Sequence, residues 1–191
     1  MPVATLDACV LYKGMLTDLL LWIARQGAFD PVWSDEIHDE WSRNLAERLP
    51  PEKIAYRRSE MEKAFVAANV QPRPVLISTI QGLCRTAAQR KDAHVVATAV
   101  DAKADVIVTT NVKDFDPDIL RHYGLTKQRP DAFLVGLLAT GQAQVLAGVQ
   151  AHRASLKRTN PTVGQYLTDL ASPKLEVPWF SRSLEAHTAS I

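Results

Sequence analysis

The chain has 191 residues, 47% of them hydrophobic, enough to bury a full core in one domain or in one domain with an appendage. Its 22 Lys and Arg nearly cancel its 21 Asp and Glu, and the net charge of +1 excludes a global field for holding nucleic acid or an anionic membrane, so any polyanion must meet a local patch. Two cysteines without metal-ligand spacing argue against a disulfide scaffold or zinc site, and the apolar run from Leu19 to Ile23 is far below the roughly 20 residues of a membrane span, so the expected location is the cytoplasm, with no membrane partner.

Val3 to Leu6 reads as a buried first strand, with Asp7 at its C-terminal end, where open α/β sheets place their sites. A helical pattern of Leu19, Leu20, Ile23 and Ala24 follows across Thr17 to Gln26, with Gly27 as its stop, and Phe29 to Trp33 permits a short second strand. Ser34 is a good N-cap, and Asp35 and Glu36 suit the first turn, where the helix dipole favours negative charge. In that helix Ile37, Trp41 and Leu45 make the apolar stripe. At 100° per residue Glu40 falls about 60° from Ile37, which puts an acid at the edge of the buried face. Pro50-Pro51 breaks the chain before a charged amphipathic helix, Glu52 to Asn69, whose Arg57-Arg58 pair reads as solvated.

Leu76 to Ala88 leaves room for a short helix. On the next helix, beginning near Asp92, the angular count sets Asp92 in line with Val95, Val96 and Ala99 and turns His94 and Asp101 outward. Val106 to Thr110, β-branched throughout and bounded by Asp105 and Asn111, has the pattern of a fully buried parallel strand. Asp118 to His122 predicts a short helix ending at Gly124, Leu125 to Gln128 a last strand, and Pro130 the opening of another helix. This alternation predicts an α/β fold, a three-layer sandwich with a central parallel β-sheet, over residues 1–138. Residues 139–191 read as a C-terminal helical extension followed by a tail.

The candidate acids, Asp7, Glu40, Asp92 and Asp114 with Asp116 in support, come from separate elements. Buried carboxylates are costly to leave unpaired, so acids that converge at strand ends hold a cation or do acid–base work. Phosphodiester hydrolysis needs a nucleophilic water and charge compensation at the phosphate, and a hard divalent cation supplies both. Without that cation the acids repel one another, which raises their coupled pKa values and makes activity fall in acid. Lys13, Arg43, Arg85, Arg90, Lys91 and Lys113 lie near the acids in sequence and are the candidate contacts for a phosphate-bearing polyanion, RNA if the resemblance below holds, while Arg153, Lys157 and Arg158 form a second basic patch.

Four segments carry a resemblance: Val3-Ala-Thr-Leu-Asp-Ala-Cys-Val-Leu-Tyr12, Ser34-Asp-Glu-Ile-His-Asp-Glu-Trp-Ser-Arg-Asn44, Lys91-Asp-Ala-His-Val-Val-Ala-Thr-Ala99 and Val108-Thr-Thr-Asn-Val-Lys-Asp-Phe115. Through them the chain resembles PIN-domain ribonucleases, and more closely the longer VapC-type toxins of type II toxin–antitoxin pairs. The resemblance implies a metal site for Mg²⁺ or Mn²⁺ and cleavage of RNA, with Asp7, Glu40, Asp92 and Asp114 taking the four acidic positions and Thr110 and Asn111 the polar positions beside the last. It also implies a cognate antitoxin whose flexible segment folds into the groove. Gln89-Arg90-Lys91 departs from relatives that often carry another acid there. The competing reading is a catalytically inert PIN-like module that binds RNA or protein. The amphipathic helix from Glu52 to Asn69 is the expected surface for antitoxin contact or for a homodimer.

Overall fold

Four short strands pair into one parallel sheet in the order β2-β1-β3-β4, where β1 is Val3–Leu6, β2 Asp30–Val32, β3 Val106–Val108 and β4 Thr126–Gln128. The computed structural model describes residues 1–191, all of the chain. Between the strands lie helices α1 (Ala8–Leu11), α2 (Gly14–Arg25), α3 (Asp35–Leu45), α4 (Pro51–Ala64), α5 (Pro74–Leu83), α6 (Ala87–Lys91), α7 (Ala93–Asp101) and α8 (Pro117–His122). After β4 follow α9 (Pro130–Thr140), α10 (Gln142–Ser155), α11 (Val163–Ala171) and α12 (Pro178–Leu184), with 3-10 turns at Val112–Asp114 and Glu185–Ser190. The result is an α/β sandwich on a central parallel sheet, with C-terminal helices.

The chain divides into two compact units. One comprises Pro2–Tyr12 and Asp30–Gln128 and holds the sheet; the other comprises Met1, Lys13–Phe29 and Arg129–Ile191 and is helical. The division follows contacts rather than one cut in sequence, since α2 joins the last four helices.

In the sheet unit, Leu6 pairs with Val108, so the two central strands end at the same level. Ala4, Leu6, Ile107 and Val108 are wholly buried. A strand covered on both faces needs no polar alternation, which is why β3 is apolar throughout. α7 packs on β1 and β3 and is buried from Ala93 to Ala99. Asp92 is the hinge residue between α6 and α7, capping the end of one and the start of the other. Ser34 accepts from the Ile37 N–H and so starts α3 as its sequence predicts.

Arg57 and Arg58 are not merely solvated: Arg58 bonds Asp35, Asp39 and Glu62, and Arg57 donates to the Leu11 carbonyl and lies over the Trp41 ring. His94, read as outward, is 4% exposed, because a helix buried on all sides has no solvent face for an angular count to find. Asp101, also read as outward, accepts from the backbone and side chain of Arg73.

In the helical unit α2 and α10 meet at Gly148, where an added Cβ would fall 2.6 Å from the Ile23 Cα. The stretch read as a tail is folded: α12 and the turn after it bury Val177, Phe180, Leu184 and Ile191. Pro178, which looks like a helix breaker, sits in the first turn, where its missing N–H costs nothing. The Asp131 carboxylate accepts from the N–H groups of Trp179 and Phe180 and completes that helix start.

Candidate functional site

Asp7 is the first residue beyond β1, and its backbone N–H donates to the Val108 carbonyl, which locks it to the end of β3. The side chain is 5% exposed. Its Oδ2 accepts from the Thr109 hydroxyl at 2.6 Å and from the Cys9 thiol at 3.0 Å. Burial, and then the charge of Asp7, push the Cys9 thiol up to about 11, so it serves as a neutral donor. The Asn111 N–H donates to the Thr109 oxygen at 2.9 Å and orients that hydroxyl toward Asp7. The other Asp7 oxygen takes no hydrogen bond from the protein.

Asp92 reaches the same neighbourhood from the α6–α7 junction and is 9% exposed. Burial raises its carboxyl to about 6, with further contributions from the charges of Asp7 and Glu40. Glu40 arrives from α3 as its helical position predicts, yet its carboxyl is held down at about 2, by His94 and by Lys91. Lys91 Nζ lies 2.6 Å from Glu40 Oε1. The buried imidazole of His94 stands between the two glutamates of α3, 3.7 Å from Glu40 and 3.8 Å from Glu36. These are electrostatic contacts rather than hydrogen bonds at that length.

Asp7, Glu40 and Asp92 are therefore brought into one electrostatic neighbourhood. Asp114 lies half-buried in the 3-10 turn, and no hydrogen bond or ion pair ties its side chain to the other three. Asp116 is a helix cap: it accepts from the Asp118 N–H at 2.8 Å, with Arg85 beside it. Thr110 meets the site through its backbone, donating to the Cys9 sulfur at 3.3 Å.

Of the candidate cations, Lys91 alone bonds an acid of this group. Arg43 donates to the Asp39 carbonyl, Arg85 pairs with Asp116 and Asp118, and Arg90 donates to the Cys84 carbonyl. Lys13 pairs with Glu176 in the helical unit, and Lys113 is exposed.

The donor chemistry, carboxylate oxygens in a buried and mutually repelling set, suits a hard divalent cation. Geometry is a separate matter: no three His, Cys, Asp or Glu side chains converge to hold a metal ion as they stand, and Glu40 is drawn toward Lys91 and His94. Sequence reasoning missed Thr109, Cys9 and His94. The shared end of β1 and β3 was the available signal for Thr109, because a residue following Val108 must stand beside one following Leu6.

Residues 4–113, more than half of the chain, match the PIN domain family. The chain belongs to that family. The match takes in Asp7, Glu40, Asp92, Thr109 and Asn111 and stops one residue short of Asp114. Residues 130–185 match the VapC50 C-terminal domain, so the helices that follow this PIN domain are similar to a defined module. A 48-residue stretch is 50% identical to "Putative ribonuclease VapC50" of Mycobacterium tuberculosis (strain ATCC 25618 / H37Rv), covering 25% of this chain and 28% of that protein. No solved structure matches the chain.

Proposed function

We propose that this PIN domain is a divalent-cation-dependent endoribonuclease, a toxin held in check by a cognate antitoxin in the cytoplasm. The observation that carries the reading is the buried Asp92 carboxyl, set among the charges of Asp7 and Glu40 with no ion pair of its own. Such a group is poorly stabilised by the protein alone and is relieved by a bound cation. The 48-residue identity to a protein named as a ribonuclease supports RNA as substrate, and the antitoxin follows from the resemblance to VapC-type toxins.

In this reading Asp7, Asp92 and Asp114 would hold Mg²⁺ or Mn²⁺, with Glu40 binding a second ion or orienting the water. A cation bound there supplies charge compensation for the phosphate and lowers the pKa of a water. Thr109 and Cys9 pin one oxygen of Asp7 and leave the other for a ligand. Glu40, with its carboxyl held low by His94 and Lys91, stays ionised and can orient the attacking water. An inert binding module is disfavoured because Asp7, Glu40 and Asp92 are all present, the first two adding their charge at the third.

The deciding experiment is RNA cleavage by the wild type and by Asp92→Asn, each with Mg²⁺, Mn²⁺ and EDTA. Cleavage by the wild type alone, abolished by EDTA, is expected. Equal cleavage by both proteins, or cleavage that survives EDTA, sinks the mechanism.

A further inference from the structure

The helical unit carries an open groove of about 640 Å³ formed by α9, the end of α11 and the start of α12. Val135, Ala171, Pro173 and Pro178 give it apolar walls, and one side is the Trp179 indole. That ring is 66% exposed, although its neighbour Phe180 is wholly buried and Trp33 and Trp41 are fully enclosed. Both acids of the groove are already engaged. Asp131 accepts from the N–H groups of Trp179 and Phe180 at 3.1 and 2.8 Å, and Glu176 is paired with Lys13. Arg129, also lining the groove, is exposed and makes no ion pair. An open aromatic face thus stands in one groove with a guanidinium that lacks a counter-ion.

We propose that this groove binds single-stranded RNA, with an unpaired base stacked on Trp179 and a neighbouring phosphate on Arg129. The choice of RNA rests on the ribonuclease reading above. Every base has a π face that stacks on an aromatic ring without demanding a sequence, and a guanidinium engages phosphate through paired N–H donors. An uncharged apolar partner fits less well, because it would cover Arg129 and leave its charge unpaired. An extended peptide has no strand edge to add to, since this unit contains helices only.

The test uses the full chain and a short fluorescein-labelled oligouridine in EDTA, with binding read by anisotropy and intactness of the oligonucleotide checked on a gel. Asp131 bonds backbone N–H groups, so Trp179→Ala leaves the start of α12 in place, and equal circular dichroism and Tm confirm it. Trp179→Ala is expected to weaken binding about 5- to 100-fold, while Trp179→Phe, which keeps a stacking face, stays within about threefold of wild type. Arg129→Ala weakens binding and lowers the slope of log affinity against log salt by about one.

Equal binding by wild type and Trp179→Ala, or no binding by wild type, overturns the proposal. So does quenching of Trp179 fluorescence by a glutamate-rich peptide but not by the oligouridine, which assigns the groove to a protein partner. Cleavage by wild type without any Trp179 effect on binding removes the groove and spares the nuclease. Trp179-dependent binding without cleavage does the reverse.

Discussion

The Thr109 hydroxyl donates to Oδ2 of Asp7 across 2.6 Å, a side-chain tie between the ends of the two central strands. Cys9 reaches the same oxygen at 3.0 Å. Groups that orient a ligating carboxylate matter nearly as much as the carboxylate itself, and their loss typically costs about 10- to 100-fold in affinity or activity. Thr109→Val keeps the shape and removes the donor, so RNA cleavage is expected to fall by about that factor. Thr109→Ser, which retains the hydroxyl, is expected to keep most of it. Equal rates for the two variants would show that the tie does not matter.

The sheet was legible because its central strands carry their burial in their composition: Val106, Ile107 and Val108 can belong only to a strand covered on both faces. Asp7 and Glu40 were legible for a related reason, since a strand end and a helix period place them without knowledge of any partner. Thr109 and His94 were not, because each acquires its role from a residue distant in sequence. Thr109 depends on the register of β1 against β3, and His94 on α3 bringing Glu36 and Glu40 to a helix that has no exposed side. The last helix was hidden by Pro178, which signals a break in sequence and a first turn in the fold.

Asp92 should trade stability for function. Its carboxyl is raised from 3.8 to about 6 in the folded chain, so folding favours the protonated form. The associated stability is fully present below about 3.8 and is lost as pH rises through about 6. Asp92→Asn removes a group that is costly when ionised, so its Tm in EDTA should exceed the wild-type value near neutral pH, by roughly 2–4 °C for each kcal/mol relieved. Near pH 3.8 the two should coincide. At subsaturating Mg²⁺, wild-type cleavage should decline as pH falls toward about 6, where the cation-free carboxyl takes up its proton and so competes with the cation. Thermal scans at both ends of this range decide it, and a Tm difference independent of pH would refute the electrostatic account.

Lys91 competes with any cation for Glu40. Its ammonium lies 2.6 Å from Glu40 Oε1, and its own pKa is raised first by Glu40 and then, more weakly, by Asp92 and Asp7. The pair is exposed on the lysine side, so breaking it should cost less than about 1 kcal/mol of stability. Lys91→Met removes a positive charge from the acid group and frees Glu40. Mn²⁺ affinity measured by calorimetry should therefore rise about threefold to tenfold, with Tm little changed. Unchanged Mn²⁺ affinity would make Lys91 a bystander and return it to the surface as a phosphate contact.

The helical unit has its own point of sensitivity. At Gly148 an added Cβ would lie 2.6 Å from the Ile23 Cα, 2.8 Å from its Cγ1 and 2.9 Å from its N. α2 and α10 would have to separate, and overpacking of this kind costs about 1–3 kcal/mol, more than the roughly 1 kcal/mol that alanine gains over glycine in a helix. Gly148→Ala should lower Tm and speed amide exchange in α2 and α10. Two of the three nearest atoms are backbone, so trimming the side chain with Ile23→Ala should not rescue the variant. Full rescue by Ile23→Ala would place the conflict in the side chain and show that the two helix backbones have room to approach.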